Sequence, residues 1–256
     1  MILFPFLSFL VLEFPFYPSS SLNYKPVGLE EPSGIAWHPQ RGTLFVVGDE
    51  GHFAEIDEEG KLVGEVLRLE GGSCERDLEG IAVDPRNGNL LLLREPSWEI
   101  LSLVPGSAKP QRIWRVPDAP PPCSDALWGL EGITVKGMDP SREGWLVVLV
   151  AKQRIPALFI ELSLPPTESL ESPQLISRKN APISSVSEIL WEQSTETLWV
   201  LEGFRGRLHQ VTEGMNAGVR LLPFPLAEGM AFTPSGDLWI ADDFGGVFRL
   251  AWRPAT

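Results

Sequence analysis

The sequence has few of the residues from which nucleophilic or zinc-dependent active sites are built. It contains 3 histidines and 2 cysteines in 256 residues, and it has no Gly-x-Ser-x-Gly motif. No pair of histidines or cysteines has the spacing of zinc ligands, and no glycine-rich loop resembles a phosphate cradle. These absences argue against serine hydrolases, zinc enzymes and nucleotide-binding proteins.

Basic residues are also scarce. The chain has 21 Lys and Arg against 34 Asp and Glu, which gives a net charge of −13. Such a surface repels phosphate backbones and anionic lipid head groups, so we expect no nucleic-acid partner. The acidic excess favours cationic ligands, divalent metals above all. The alternative is that the charge only keeps the protein soluble.

Long apolar runs are missing as well. The apolar stretch in residues 1–20 is interrupted by Pro5, Glu13 and Pro15, so we expect no transmembrane helix. This stretch resembles the apolar core of a secretion signal without the preceding basic residues, and the alternative is that it packs onto the domain. Residues 21–256 are expected to form one domain.

What the chain does contain is a unit that occurs five times. The copies begin with PSGIAWHP, LEGIAVDP, LEGITV, VSEILWEQ and AEGMAFTP, and a short apolar strand such as TLFVV or TLWVL follows each of them. Equivalent positions are spaced by 46, 52, 56 and 41 residues. This spacing predicts an all-β fold, a five-bladed β-propeller. We expect residues 22–28 to supply the outer strand of the last blade, which closes the ring and removes an exposed sheet edge.

One residue of each copy is expected at the mouth of the central channel, because the first strand of a propeller blade lines that channel. Three carboxylates in so narrow a space repel one another unless a cation or protons balance them. Ca²⁺ suits such a site better than Mg²⁺, which demands tighter octahedral geometry. The alternative is that the glutamates accept hydrogen bonds from neighbouring loops. The five ring residues are Ser33, Glu79, Glu131, Ser187 and Glu228, with Glu79, Glu131 and Glu228 as the predicted metal ligands.

A second set of residues follows the middle strands. Carboxylates at such points often cap turns by accepting backbone N–H groups, and this is the interpretation we prefer. The alternative is that they face a substrate, with Arg94, Lys152 and Arg205 holding an anionic group. The set comprises Asp49, Glu95, Gln153, Gly203 and Asp243.

Together the five repeats resemble the SdiA-regulated (YjiK-like) family over about residues 28–250. The resemblance implies a bacterial propeller that is exported to, or anchored in, the cell envelope. Single motifs such as Leu-Glu-Gly also occur in phytase-like esterase and lactonase-type propellers. Cys74 and Cys123 lie in equivalent loops of adjacent repeats, so they form either a disulfide or two unrelated thiols.

These observations favour an exported, periplasmic or envelope-associated binding or scaffold protein that takes up a divalent cation or a small ligand. The cytoplasm is the alternative location. A metal-dependent hydrolase of lactonase or phosphoesterase type is the alternative function. A third possibility is a protein-interaction surface in which the ring is inert. The lack of His or Asn in the ring argues against the hydrolase.

Overall fold

The structure is a computed structural model, and it describes residues 16–70, 77–121, 129–212, 215–222 and 226–252. Within these residues the chain forms 20 β-strands and a single turn of 3-10 helix at Gly203–Arg205. The strands make five antiparallel sheets of four strands each. Neighbouring inner strands contact one another around a closed ring. The prediction of an all-β, five-bladed propeller is confirmed.

Each blade runs from an inner strand at the channel to an outer strand at the surface. Blade 1 contains β2 (Pro32–His38), β3 (Thr43–Gly48), β4 (His52–Ile56) and β5 (Leu62–Arg68). Blade 2 contains β6 (Leu78–Val83), β7 (Leu90–Arg94), β8 (Glu99–Leu103) and β9 (Arg112–Arg115). Blade 3 contains β10 (Leu130–Met138), β11 (Leu146–Lys152), β12 (Ala157–Leu164) and β13 (Gln174–Ala181). Blade 4 contains β14 (Glu188–Glu192), β15 (Thr197–Glu202), β16 (Arg207–Thr212) and β17 (Met215–Leu221). Blade 5 contains β18 (Ala227–Phe232), β19 (Leu238–Asp242), β20 (Gly246–Trp252) and, from the other end of the chain, β1 (Phe16–Pro26).

The N-terminal strand closes the ring as expected. β1 pairs antiparallel with β20, from Phe16 opposite Trp252 to Pro26 opposite Gly246. The strand is longer than the predicted residues 22–28, and it begins at Phe16, inside the segment 1–20 that the sequence predicts to lie outside the domain. Residues 1–15 lie outside the described part of the chain. Among the described residues, no helix is long and apolar enough to cross a membrane.

The core consists of five apolar clusters, one between each pair of neighbouring blades. Successive residues of a middle strand belong to different clusters. In β3, Phe45 and Val47 pack towards blade 2, whereas Val46 packs towards blade 5. Because both faces of each middle strand are covered by a neighbouring blade, these strands are apolar along their length, with polar residues only at their ends.

Glycines allow the inner strands to approach one another closely. A Cβ atom at Gly34 would lie 2.9 Å from the carbonyl oxygen of Glu79, and one at Gly80 would lie 2.8 Å from that of Glu131. A Cβ atom at Gly229 would lie 2.7 Å from the Cα atom of Gly34, where blade 5 meets blade 1. Side chains at these positions would therefore collide with the backbone of the next blade.

Replacing Gly80 with alanine is expected to lower the free energy of unfolding by about 2 kcal/mol, because the added methyl group forces β6 away from β10. Gly218→Ala on β17 is the matched control, because a Cβ atom there would have no neighbour within 4 Å. Its effect should stay within about 0.5 kcal/mol. Chemical denaturation of the two variants measures both values. Equal effects would contradict the packing argument.

Candidate functional site: the acidic mouth of the channel

The ring residues enter the channel through β-bulges. In blades 1, 2, 3 and 5 the register between the inner and middle strand shifts at the predicted ring residue, and blade 3 has a second shift further along, between Val135 and Gly137. A bulge leaves the ring residue unpaired in the ladder. Its side chain then departs from the usual alternation between the two faces of the sheet. The glycine after each bulge packs against the next blade, as described above. The residues placed in this way are Ser33, Glu79, Glu131 and Glu228.

Blade 4 departs from this pattern. Its inner strand begins at Glu188, which pairs directly with Leu201, and no register shift interrupts β14 and β15. Ser187, the predicted ring residue, lies just before the strand, and its backbone N–H donates to the carbonyl of Leu201 at 2.9 Å. Ser187 is buried, and a hydrogen bond links it to Glu228. Ser187 therefore occupies the fifth position of the ring without a β-bulge.

The closest group of carboxylates lies between blades 1 and 2. One side-chain oxygen from each of Asp49, Asp77 and Glu79 lies within 4.8 Å of the other two. All three side chains are half-buried. Asp49 follows β3 and accepts a hydrogen bond from the hydroxyl of Ser33. Asp77 immediately precedes β6, and its carbonyl accepts the backbone N–H of Glu95 at 3.0 Å.

Asp77 was not among the predicted site residues. The signal that could have revealed it is its position, since it stands two residues before Glu79 at the start of the Leu-Glu-Gly strand. A residue at that place lies at the mouth, beside the ring. The group therefore combines Glu79 of the predicted ring with Asp49 of the set that follows the middle strands. Its third member, Asp77, belonged to neither set.

Burial and mutual repulsion make these groups hard to ionise. Burial, followed by the hydrogen bond and the charge of Glu95, raises the pKa of Asp77 to about 8. Burial and the charge of Glu131 raise the pKa of Glu79 well above its ordinary value. Burial and the charges of Glu95 and Glu228 do the same to the pKa of Glu131. The carboxyl groups of both predicted sets therefore share one electrostatic environment.

The fifth blade contributes to the same environment. Burial, with the charges of Asp243 and Asp49, raises the pKa of Glu228 to about 7, although the Ser187 hydroxyl opposes the shift. Burial and the charge of Asp49 raise the pKa of Asp243 to about 6. In the described part of the chain, none of the ion pairs with Lys, Arg or His involves Asp49, Asp77, Glu79, Glu131 or Glu228. The described residues of the mouth therefore gather carboxyl groups from several blades without an ion pair to balance them.

The residues that follow the middle strands do not all make the same kind of contact. Glu95 accepts the backbone N–H of Gly129 at 2.7 Å and so ties blade 2 to blade 3, as the structural interpretation expected. Gln153 lies 3.5 Å from the hydroxyl of Ser185. Gly203 has no side chain to offer, and a Cβ atom there would lie 2.1 Å from the carbonyl oxygen of Ala227. In blade 5 the turn is capped by Asp242, which accepts the N–H of Phe244 at 2.9 Å, rather than by Asp243.

The basic residues that we considered for an anionic substrate are engaged elsewhere. Arg94 is buried and pairs with Glu99 at 2.8 Å. Arg205 pairs with Glu202 at 3.3 Å. The ammonium group of Lys152 lies 4.2 Å from the centre of the Trp98 ring. Cys74 and Cys123, the predicted disulfide, lie outside the described residues.

The profile of the SdiA-regulated family matches residues 19–245 of this sequence. The chain belongs to the SdiA-regulated family. The resemblance inferred from the repeats is thereby confirmed, and members of this family are expected to share the propeller. A search of curated proteins found no sequence that matches this chain.

Solved structures share the fold. The chain is similar to glutaminyl cyclase from Myxococcus xanthus, with 15% identity and a TM-score of 0.58 over 89% of this chain and 93% of that one. It is also similar to a streptogramin B lyase, with 12% identity and a TM-score of 0.52 over 92% and 97% of the two chains. At these identities the likeness extends to the propeller fold alone.

In a chelating buffer, the protein should lose stability as the pH rises from about 5 to about 8. Unfolded carboxyl groups ionise near pH 4, whereas Asp77, Glu228 and Asp243 ionise at about 8, 7 and 6 in the folded protein. The folded state therefore binds more protons across this range, and the free energy of unfolding falls with rising pH. His209, whose pKa burial lowers, acts in the opposite direction.

Melting temperatures between pH 5 and pH 8.5 measure this effect. Asp77→Asn should flatten the slope because it removes one of the groups that must ionise, whereas Glu143→Gln, at an exposed position in the β10–β11 hairpin, should leave it unchanged. A melting temperature that rises over this range in the wild type would show that the folded state does not hold these extra protons.

Proposed function

We propose that this propeller is a binding protein whose channel mouth holds a divalent cation, Ca²⁺, between Asp49, Asp77 and Glu79. The observation that carries the proposal is the approach of their three carboxylate oxygens to within 4.8 Å of one another. A cation offsets the repulsion that such a group creates in a half-buried position. Glu131 and Glu228 add negative charge nearby.

The choice of Ca²⁺ follows from the chemistry of the ligands. Ca²⁺ binds six to eight oxygen atoms in flexible geometry, and carboxylates, hydroxyls, carbonyls and water all serve. The Ser33 hydroxyl, which contacts Asp49, is a further oxygen at this place. Mg²⁺ requires a tighter octahedral arrangement, and soft metals prefer the His and Cys ligands that the described mouth lacks.

Apolar side chains on the same rim support a binding role. The turns between the second and third strands of blades 3, 4 and 5 carry Ile155, Phe204 and Phe244, which are 78%, 71% and 72% exposed. These turns are equivalent to the turn after β3 that contains Asp49, so they surround the mouth. A ligand or protein partner that reaches the cation would bury these side chains, which stabilises the complex.

A metal-dependent hydrolase of lactonase or phosphoesterase type is the second candidate. The observation that favours it is Glu228, whose pKa burial raises to about 7, near the value that suits a general base at neutral pH. Hydrolysis of an aryl phosphate or a lactone that requires Ca²⁺ and is lost in Glu228→Gln would favour this candidate. The absence of turnover with intact cation binding would favour the binding protein.

The proposal includes a location in the cell envelope, which the family resemblance implies. A disulfide between Cys74 and Cys123 would suit that oxidising compartment. It would also join the loops that precede β6 and β10, the strands that carry Glu79 and Glu131. Such a bridge would hold two of the acidic residues of the mouth in place.

Adding Ca²⁺ to the chelator-stripped protein at pH 8 should raise its melting temperature. At one hundred times the dissociation constant the gain is about 2.7 kcal/mol, or roughly 5–10 °C for a chain of this size. The rise should be smaller at pH 5.5, because protons then compete for the carboxylates. Asp77→Asn should remove most of the rise, whereas Glu143→Gln should retain it. The absence of a rise in the wild type, or an equal rise in Asp77→Asn, would overturn the proposal.

Labelling of the native, unreduced protein with a thiol reagent should find no free thiol if the proposed bridge is present. After denaturation and reduction, the same reagent should label two. Mass spectrometry of the intact protein counts the labels. Two labels on the denatured but unreduced protein would show that the bridge does not form.

A further inference from the structure

A cavity of about 630 Å³ lies between blades 3 and 4, and none of Asp49, Asp77 and Glu79 lines it. This volume lies in the range of small-molecule sites. Much of the wall is apolar, so the body of an apolar ligand would lose its contact with water here, which drives binding. The apolar wall includes Leu149, Phe159, Ile183, Trp191, Leu198 and Val211.

The space exists because blade 3 lacks two large side chains that blade 2 has at equivalent positions. In blade 2, Trp114 of the outer strand pairs with Ile100, which pairs with Leu93 of the middle strand. All three are buried in the cluster between blades 2 and 3. Counted from the end of the middle strand, the equivalent residues of blade 3 are Lys179, Phe159 and Ala151. A lysine therefore replaces the tryptophan and an alanine replaces the leucine, so the gap to blade 4 stays open.

One group of polar residues in the cavity is already satisfied. The ammonium group of Lys136 pairs with Oε1 of Glu161 at 2.6 Å, and it lies 5.0 Å from the centre of the Trp191 ring. The hydroxyl of Ser177 donates to Oε2 of Glu161 at 3.1 Å. Because both oxygens of this carboxylate have partners, Glu161 does not require a cationic ligand.

The end of the cavity nearer the mouth carries positive charge. Lys179 lines the cavity and is exposed, and it lies two residues nearer the mouth than Ser177 on β13. The guanidinium group of Arg154 donates to the side-chain oxygen of Asn180, which also lines the cavity. Among the residues that the structure describes, no carboxylate forms an ion pair with Lys179 or Arg154.

The remaining acidic residue of the lining, Glu196, lies at the other end of the cavity. It is exposed in the hairpin turn just before β15, which begins at Thr197 on the side away from the mouth. A negatively charged group beside Lys179 is therefore separated from Glu196. Because Lys179 is exposed, such a group gains an opposite charge without losing all of its hydration.

We propose that this cavity binds a small molecule with an aromatic or aliphatic body and a carboxylate group, which forms an ion pair with the ammonium group of Lys179. The body packs against Phe159 and Trp191, and the carboxylate stays at the exposed end, near Arg154. The site shares no residue with the acidic group of the mouth, so it can be occupied whether or not a cation is bound there.

The probe for this site is dansylglycine, which has an aromatic body, a carboxylate and a fluorescence that responds to burial. Titration of the full-length protein should give saturable binding at one site. Dansylglycinamide, in which a neutral amide replaces the carboxylate, should bind about fivefold more weakly because the ion pair is lost. Raising the ionic strength should reduce this difference. Absence of saturable dansylglycine binding, or equal affinity for the two probes at low ionic strength, would overturn the proposal.

Two substitutions of Lys179 separate its charge from the space around it. Lys179→Gln should weaken dansylglycine binding about fivefold and change dansylglycinamide binding less than about twofold. Lys61→Gln, at an exposed position on blade 1, is the matched control and should bind both probes as the wild type does.

Lys179→Trp gives blade 3 the side chain that fills the equivalent space in blade 2, so it should weaken binding of both probes at least about tenfold. Wild-type affinity in Lys179→Trp would place the probes elsewhere. Unchanged dansylglycine affinity in Lys179→Gln would refute the ion pair.

Discussion

The close approach of the inner strands is the constraint on which the rest of the structure depends. The backbones of blades 1, 2, 3 and 5 meet their neighbours at Gly34, Gly80, Gly132 and Gly229, where no Cβ atom would fit without displacing its neighbours. This contact keeps the channel narrow. It also explains why each glycine directly follows a bulge, because the bulge turns the preceding side chain towards the channel while the glycine packs against the next blade.

A narrow channel makes the chemistry of its two ends distinct. At the mouth, carboxyl groups from several blades lie close enough to raise one another's pKa, and their repulsion favours protons or a cation. Further along, the same strands present aliphatic and aromatic residues around an apolar cavity. Glu188 lies between these ends, beside the ring residue Ser187 in sequence but held by backbone N–H groups as a buried acid. One set of five strands therefore presents carboxyl groups at one end of the channel and apolar side chains at the other.

The ring residues could be predicted because a propeller repeats one unit and its inner strands are equivalent. Other features depended on contacts that no repeat reveals. Asp77 precedes its strand, so a comparison of strands alone did not include it, yet it lies within 4.8 Å of Asp49 and Glu79. Glu188 occupies an aligned position where the other blades have glycine, but the repeat pattern does not show that its side chain is buried between β10 and β14. Arg94 and Arg205 stand near the mouth in sequence, but ion pairs with Glu99 and Glu202 hold them.

By itself, the sequence determined the number of blades, the apolar middle strands and the closing role of the N-terminal strand, because these follow from periodicity and from the need to cover both faces of each sheet. It also identified the family. Only the tertiary structure decided which carboxylates meet, which way their pKa values shift, and which oxygen of Glu188 lacks a partner. Those properties depend on distances of a few ångströms between different blades, and residues far apart in the chain come that close only when the ring is closed.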